Sequence, residues 1–278
     1  MPPESRYIQA AGRRAHYVEA GEGPVVLLLH GLLHSNRTWR YTVDDLARRG
    51  HRAIAPDLMG MGWSERGEGD YSFRGFAAFV RGFLEALGIE RLHTLVGHSL
   101  GGAVALTLVE ETPGLSGRLV LVGSAGLPFE LPRSLGLIGS PRLEPLFHLA
   151  TSRALLRRVL RITAYKRIPV TDAVLEGFSP AIQRTGTYLS LVEIARAFPA
   201  ASRELAQRLP EIAVPTCVVW GELDPLIPLK AGRIIASLIP GARLEVIEGC
   251  GHCPQEESPA EFNRLMGRIL AQNGSSKL

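Results

Sequence analysis

Apolar positions along this chain fall into two rhythms that take turns. The first segment alternates: Tyr7-Ile8 and His16-Tyr17-Val18 flank Gly12-Arg13, which predicts an antiparallel hairpin of edge strands. Pro24 then leads into Val25-Val26-Leu27-Leu28-Leu29, a continuous apolar run of the kind that forms a strand buried on both faces. Similar runs recur at Ala53-Ile54-Ala55, Thr94-Leu95-Val96, Leu119-Val120-Leu121-Val122, Cys217-Val218-Val219-Trp220 and Leu244-Glu245-Val246-Ile247. Amphipathic helical stretches separate most of them, among them Phe76 to Leu87 and Ala103 to Glu111. Strands alternating with helices predict right-handed parallel crossovers and an open α/β sheet covered on both faces.

One interval breaks the rhythm. From about Leu127 to Leu209 there is no core strand pattern, only helical stretches (Thr151 to Ala164, Ala181 to Phe198) punctuated by Pro128, Pro132, Pro141, Pro145, Pro169 and Pro180. An all-helical insertion between two strands of a parallel sheet reads as a cap over the strands' carboxyl ends, where open α/β sheets bind ligands. The expected division is a core domain of residues 1–126 and 210–278 with a cap at 127–209. The tail from Asn273 to Leu278 reads as frayed.

Gly97-His98-Ser99-Leu100-Gly101 follows one of the buried runs and opens a helical stretch. That is G-x-S-x-G in its required context of strand, sharp turn and helix, and it makes Ser99 a candidate nucleophile. A nucleophile in a strained turn needs neighbours without side chains, which the flanking glycines provide. A serine hydroxyl also needs a base, and the base an orienting acid, in the chain order nucleophile, acid, histidine. Asp224, in the loop after the Thr216–Trp220 run, is the acid candidate, with Glu222 its rival; His252, after the last run, is the histidine. His16, His51 and His93 are expected at strand starts on the far side, His148 in the cap, and His98 facing away from its neighbour.

Four segments resemble the α/β-hydrolase superfamily: His30-Gly31-Leu32-Leu33-His34-Ser35 with Trp39, Asp57 to Ser64, Gly97 to Gly102, and Gly251-His252. The resemblance runs from the hairpin at Tyr7 to a helix ending near Leu270. It implies a mostly parallel eight-stranded sheet, helices on both faces and a helical cap after the sixth strand. It also implies an oxyanion hole made by the backbone N–H groups of Leu32 and Leu100, and a structural turn over Asp57 to Ser64. No cofactor or metal is expected.

Composition narrows the class. Hydrophobic residues make up 46% and charged residues 21% of 278, an ordinary globular balance able to bury a large core. The net charge of +4 collects partly in Arg153 to Arg167, with Arg157, Arg158, Arg161 and Lys166 at helical spacing. That reads as a solvated face; no nucleic-acid-binding signature accompanies it, and a lipid-surface role is the other reading. Cys250-Gly251-His252-Cys253 spells C-x-x-C but lacks the small thioredoxin-type βαβ unit that redox work requires, and no second ligand pair points to zinc. The opening residues lack a signal-peptide core, and no apolar run reaches the roughly 18 residues of a membrane span. A cytoplasmic protein without membrane insertion is expected, as monomer or homodimer.

The triad sets a reaction class and leaves the substrate open. Serine at position 99 sets the chain apart from the dehalogenase and epoxide-hydrolase patterns, which carry aspartate there. Hydrolysis of carboxylic esters, with small to medium apolar acyl or alkyl groups, is the leading expectation. The cap's Leu135, Leu137, Leu146, Phe147 and Phe178 suggest an apolar pocket. Carbon–carbon hydrolysis of ring-cleavage products is the alternative, weakened because such enzymes usually have a glycine- and proline-rich segment where this chain has Leu32 to Ser35. Iminopeptidase-type amide cleavage would call on acids in the cap, here Glu130, Glu144, Asp172, Glu176 and Glu193 among more numerous bases. A ligand-binding receptor is the reading from a different class.

Overall fold

The computed structural model describes residues 4–128, 146–148, 151–178 and 182–271. The strands are β1 (Glu4–Ala10), β2 (Arg13–Ala20), β3 (Val25–Leu29), β4 (Arg52–Pro56), β5 (Thr94–His98), β6 (Leu119–Val122), β7 (Thr216–Gly221) and β8 (Arg243–Ile247). They form one sheet in the order β1-β2-β4-β3-β5-β6-β7-β8. The β1–β2 and β2–β4 pairings are antiparallel and the rest parallel. The hairpin closes through Ala11 and Gly12, both at positive φ, as a two-residue turn compatible with strand twist requires. Only β1 and β8 are edges; β2, expected at an edge, lies inside the sheet against β4.

Both faces are covered. Leu27, Leu29, Ile54, Leu95, Leu121 and Trp220 pack with one set of helices: α2 (Phe73–Ala86) and α3 (Leu100–Glu111). Val26, Leu28, Ala55, Val96, Val120 and Val219 point the other way, toward α1 (Arg40–Arg48) and a C-terminal helix, Pro259–Ala271. The strict alternation along β3 explains its unbroken apolar run, since each face needs its own half of the residues.

The described residues between β6 and β7 are helical or irregular: α4 (Arg153–Thr163), α5 (Asp172–Leu175) and α6 (Thr187–Arg208). Leu156, Leu160, Val174, Leu175, Phe178 and Ile182 make a small core of their own, into which Cys253 is inserted from below. Phe198 and Leu205 near the end of α6 belong instead to the main core. Glu130, Leu135, Leu137, Glu144, Pro132, Pro141, Pro145, Pro180, Ala181 and the tail from Asn273 lie outside the described residues. After β7 come α7 (Leu229–Leu238), then α8 (Pro254–Glu257) and α9 (Pro259–Ala271).

Candidate active site

Every parallel strand from β3 to β8 delivers its carboxyl end to one edge, and the chemistry-bearing residues follow these ends. Ser99 stands between β5 and α3 at φ 53° and ψ −118°, a backbone region costing about 1–3 kcal/mol for a residue with a side chain. Glycines make the turn possible. A Cβ on Gly97 would lie 2.3 Å from Gly101 O, and one on Gly101 would lie 2.5 Å from both Leu29 O and His30 O. The Ser99 N–H donates to Val122 O at 2.9 Å, pinning the turn to β6.

Asp224 and His252 are brought into direct contact: His252 Nδ1 lies 2.7 Å from Asp224 Oδ2, and both side chains are buried. The second carboxylate oxygen accepts the N–H groups of Leu226 and Ile227, each at 2.9 Å, which orients the acid. The rival Glu222 instead accepts the Gly249 N–H on the exposed side of the loop. Ser99 Oγ makes no hydrogen bond to the His252 ring among the described residues; such contacts often close only around substrate. The two residues are neighbours through His98, whose Nε2–H donates to His252 O at 3.0 Å with the rings 4.9 Å apart. His98 therefore faces the histidine loop and supports it.

The turn after β3 reaches over the nucleophile. A Cβ on Gly31 would come within 3.0 Å of both Ser99 Cβ and His98 Nδ1, so the backbone itself abuts Ser99. His34 N–H closes the turn on Gly31 O at 3.2 Å, with Leu33 at φ +62° in the third position. A type II turn favours glycine there, and leucine pays a steric penalty. The Leu32 N–H heads the turn, and Leu100, as the first residue of α3, has an N–H without an intrahelical acceptor. These are the two amides the resemblance singled out.

Other residues surround this core, none with a role of its own assigned from sequence. His34 is buried, packs against Phe178 with ring centroids 3.8 Å apart, and has an Nδ1 without a hydrogen-bond partner. Burial, reinforced by neighbouring positive groups, holds the His34 imidazole well below the usual histidine range; burial does the same for His98 and, less strongly, for His30. All three are therefore neutral near pH 7. Glu256 is buried beside them, accepting from Thr38 Oγ1 and Arg40 Nη1 at 2.7 Å each, and desolvation raises its pKa. Beyond it, Glu257 accepts the backbone N–H groups of Lys166 (2.7 Å), Arg167 (2.8 Å) and Cys253 (3.2 Å). His252 N–H in turn donates to Ala164 O at 2.7 Å. The turn after α4 is thus stitched to the loop that carries His252.

One further expectation changes on inspection. His16 lies at the carboxyl edge, because β2 runs antiparallel to β4 and pairs Tyr17 with Pro56. There its Nδ1 meets Asp57 Oδ2 at 2.7 Å, and Asp57 also accepts the N–H groups of Asn36 and Trp63, so the Asp57–Ser64 turn is held by a buried carboxylate. All three cysteines are free and buried; burial pushes the Cys250 thiol up to about 11 and Cys253 well above its ordinary value. Thiols so disfavoured from ionising are poor redox nucleophiles. Among the described residues no cluster of metal-ligating side chains occurs, and no helix is long and apolar enough to cross a membrane.

The alpha/beta hydrolase family model matches residues 26–265, which span β3 to α9 and include Ser99, Asp224 and His252. The chain belongs to the alpha/beta hydrolase family. Within it, the chain is 37% identical over 264 residues to a 2-hydroxy-6-oxo-6-phenylhexa-2,4-dienoate hydrolase of Comamonas testosteroni, covering 92% of this chain and 91% of that one. It is 36% identical over 286 residues to a 2-hydroxymuconate semialdehyde hydrolase of a Pseudomonas species, covering 98% and 95%. A solved meta-cleavage product hydrolase from Pseudomonas fluorescens superposes with a TM-score of 0.78 at 30% identity, over 95% of this chain and 96% of that one. This hydrolase of the family is thus similar to dienoate, semialdehyde and meta-cleavage product hydrolases.

Proposed function

We propose that this hydrolase cleaves a carbon–carbon bond beside a ketone in a ring-cleavage product, the reading held as the alternative from sequence. The observation that carries it is the 37% identity across nine-tenths of the chain to a phenylhexadienoate hydrolase, on a site built for attack at a carbonyl. Ser99 is the nucleophile, His252 takes its proton, and Asp224 holds the ring's tautomer and stabilises the imidazolium. The Leu32 and Leu100 N–H groups receive the oxyanion, each worth roughly 3 kcal/mol of barrier. The enol proton first moves to the carbon beside the ketone. After Ser99 attacks, the carbon fragment departs as a conjugated dienolate that takes the His252 proton at oxygen, and water activated by His252 then releases the acid from Ser99.

Ester hydrolysis is the second reading, and the oxyanion turn favours it. Leu33 at φ +62° stands where a glycine-rich segment is usual in carbon–carbon hydrolases, and the adjoining wall of His34 and Phe178 is neutral and apolar. Amide cleavage has less support: Asp172 and Glu176 of the cap are engaged by Arg153, Arg157 and Arg37, and Glu193 by Arg196.

The deciding experiment follows loss of the chromophore of 2-hydroxy-6-oxo-6-phenylhexa-2,4-dienoate and, in parallel, hydrolysis of p-nitrophenyl esters from two to sixteen acyl carbons. Wild type is compared with Ser99→Ala. A kcat/KM for the dienoate far above that for every ester, lost in the variant, is expected. Turnover of esters with none of the dienoate would overturn the proposal and leave the ester reading, while binding without turnover of either would point to a receptor.

A further inference from the structure

The basic stretch noted in the sequence forms α4, and this helix has two distinct apolar sides. Leu156 and Leu160 point into the cap core. Leu155, Val159 and Ile162 are 42%, 43% and 56% exposed. At about 100° per residue these three fall within one sector of roughly 60°, separate from the buried side. Arg158 and Arg161 occupy the adjoining sector and have no acidic partner among the described residues. The other two arginines, Arg153 and Arg157, both reach Asp172. An exposed apolar ridge bordered by uncompensated arginines is a costly feature if water is its only neighbour.

We propose that α4 docks on an anionic lipid surface, with Leu155, Val159 and Ile162 entering the headgroup boundary and Arg158 and Arg161 meeting the phosphates. The charge decides the occupant. A second copy packed ridge to ridge about a twofold axis would bring two pairs of arginines into one interface, whereas an anionic surface complements them. The apolar ridge contributes burial and the arginines attraction, the combination that interfacial helices use. Ala164, at the end of this helix, accepts the His252 N–H, so the docked element is continuous with the loop carrying the candidate base. The inference stands independently of which substrate Ser99 attacks.

The test is co-sedimentation of the full chain with vesicles of phosphatidylcholine alone and of equimolar phosphatidylcholine and phosphatidylglycerol, at low and high salt. Binding only to the anionic vesicles, weakened by salt, is expected. Arg158→Gln with Arg161→Gln should lower the partition coefficient about 30-fold. Leu155→Ser with Ile162→Ser should lower it as well, with an unchanged urea midpoint showing an intact fold. The Ser99→Ala variant should bind as wild type does, which separates this result from the catalytic proposal. Equal binding to both vesicle types, no binding, or a dimer in sedimentation equilibrium that Leu155→Ser with Ile162→Ser dissociates would each overturn the proposal.

Discussion

Asp224 illustrates how one side chain can be fixed by both of its oxygens. With Oδ1 accepting from Leu226 and Ile227 and Oδ2 facing His252, an amide in its place keeps the backbone contacts through its carbonyl. Its NH2 then meets Nδ1 of His252 and forces the wrong tautomer, leaving Nε2 protonated and unable to act as a base. Asp224→Asn is therefore expected to lower kcat about 10⁴-fold, with a urea midpoint close to wild type. Gly31 is a different case, since the added methyl of alanine meets Ser99 Cβ and His98 at 3.0 Å. Gly31→Ala should shift the Leu32 amide out of place and lower kcat about 100-fold while KM changes little, as measured by steady-state kinetics. Wild-type kcat in that variant would show that the turn does not hold the oxyanion donor. Ser99, Asp224 and His252 were legible because a motif and a chain order name them. Glu256 and Glu257 carry no such signal, and His34, though inside a resemblance segment, had no role assigned: the burial of each depends on a fold closing over it.

Elements were legible to different depths for a physical reason. A strand buried on both faces must be apolar throughout, so β3 to β7 appear as unbroken runs at the expected places. The direction of β2 within the sheet has no such signature, and His16 was consequently assigned to the wrong edge. The contacts of the turn after α4 were invisible too, because Ala164 contributes a carbonyl and Lys166 and Arg167 contribute amides, groups present at any sequence position. What these contacts do is open to measurement. Removing the carboxylate in Glu257→Ala leaves three backbone N–H groups without their acceptor and is expected to destabilise the fold by about 2–3 kcal/mol. Cleavage by trypsin after Lys166 and Arg167 should then quicken, and kcat should fall together with the release of the His252 loop. Unchanged proteolysis and unchanged kcat would show that the hydrogen bond from His252 to Ala164 holds the turn alone.

Across the whole molecule, the buried titratable groups set a pH window for stability. His30, His34 and His98 have folded pKa values below the ordinary 6.5, so on acidification the unfolded chain takes up protons that the folded chain refuses. Stability from these groups is complete above pH 6.5 and falls as pH drops through it, by about 1.4 kcal/mol per pH unit for each proton. Glu256 acts in the opposite sense. Its raised pKa lets the folded state keep a proton that the unfolded state has lost above pH 4.5, which opposes the histidine effect between pH 4.5 and the folded pKa of Glu256. His51 and His93, only partly buried at the far edge, add to the same acid-side fall. On the alkaline side the free thiols take over. Burial lifts Cys217 to about 12, Cys250 to about 11 and Cys253 well above 9.0, so above pH 9 the unfolded chain loses protons that the folded one retains. Unfolding releases protons there, and stability declines again. Urea midpoints measured from pH 4.5 to 10.5 under reducing conditions should form a plateau between about pH 6.5 and 9 with a slope on each flank. A profile that stays flat from pH 6.5 down to 5 would mean that the imidazoles around Ser99 are charged in the folded protein, and that the neutral wall facing Phe178 is absent.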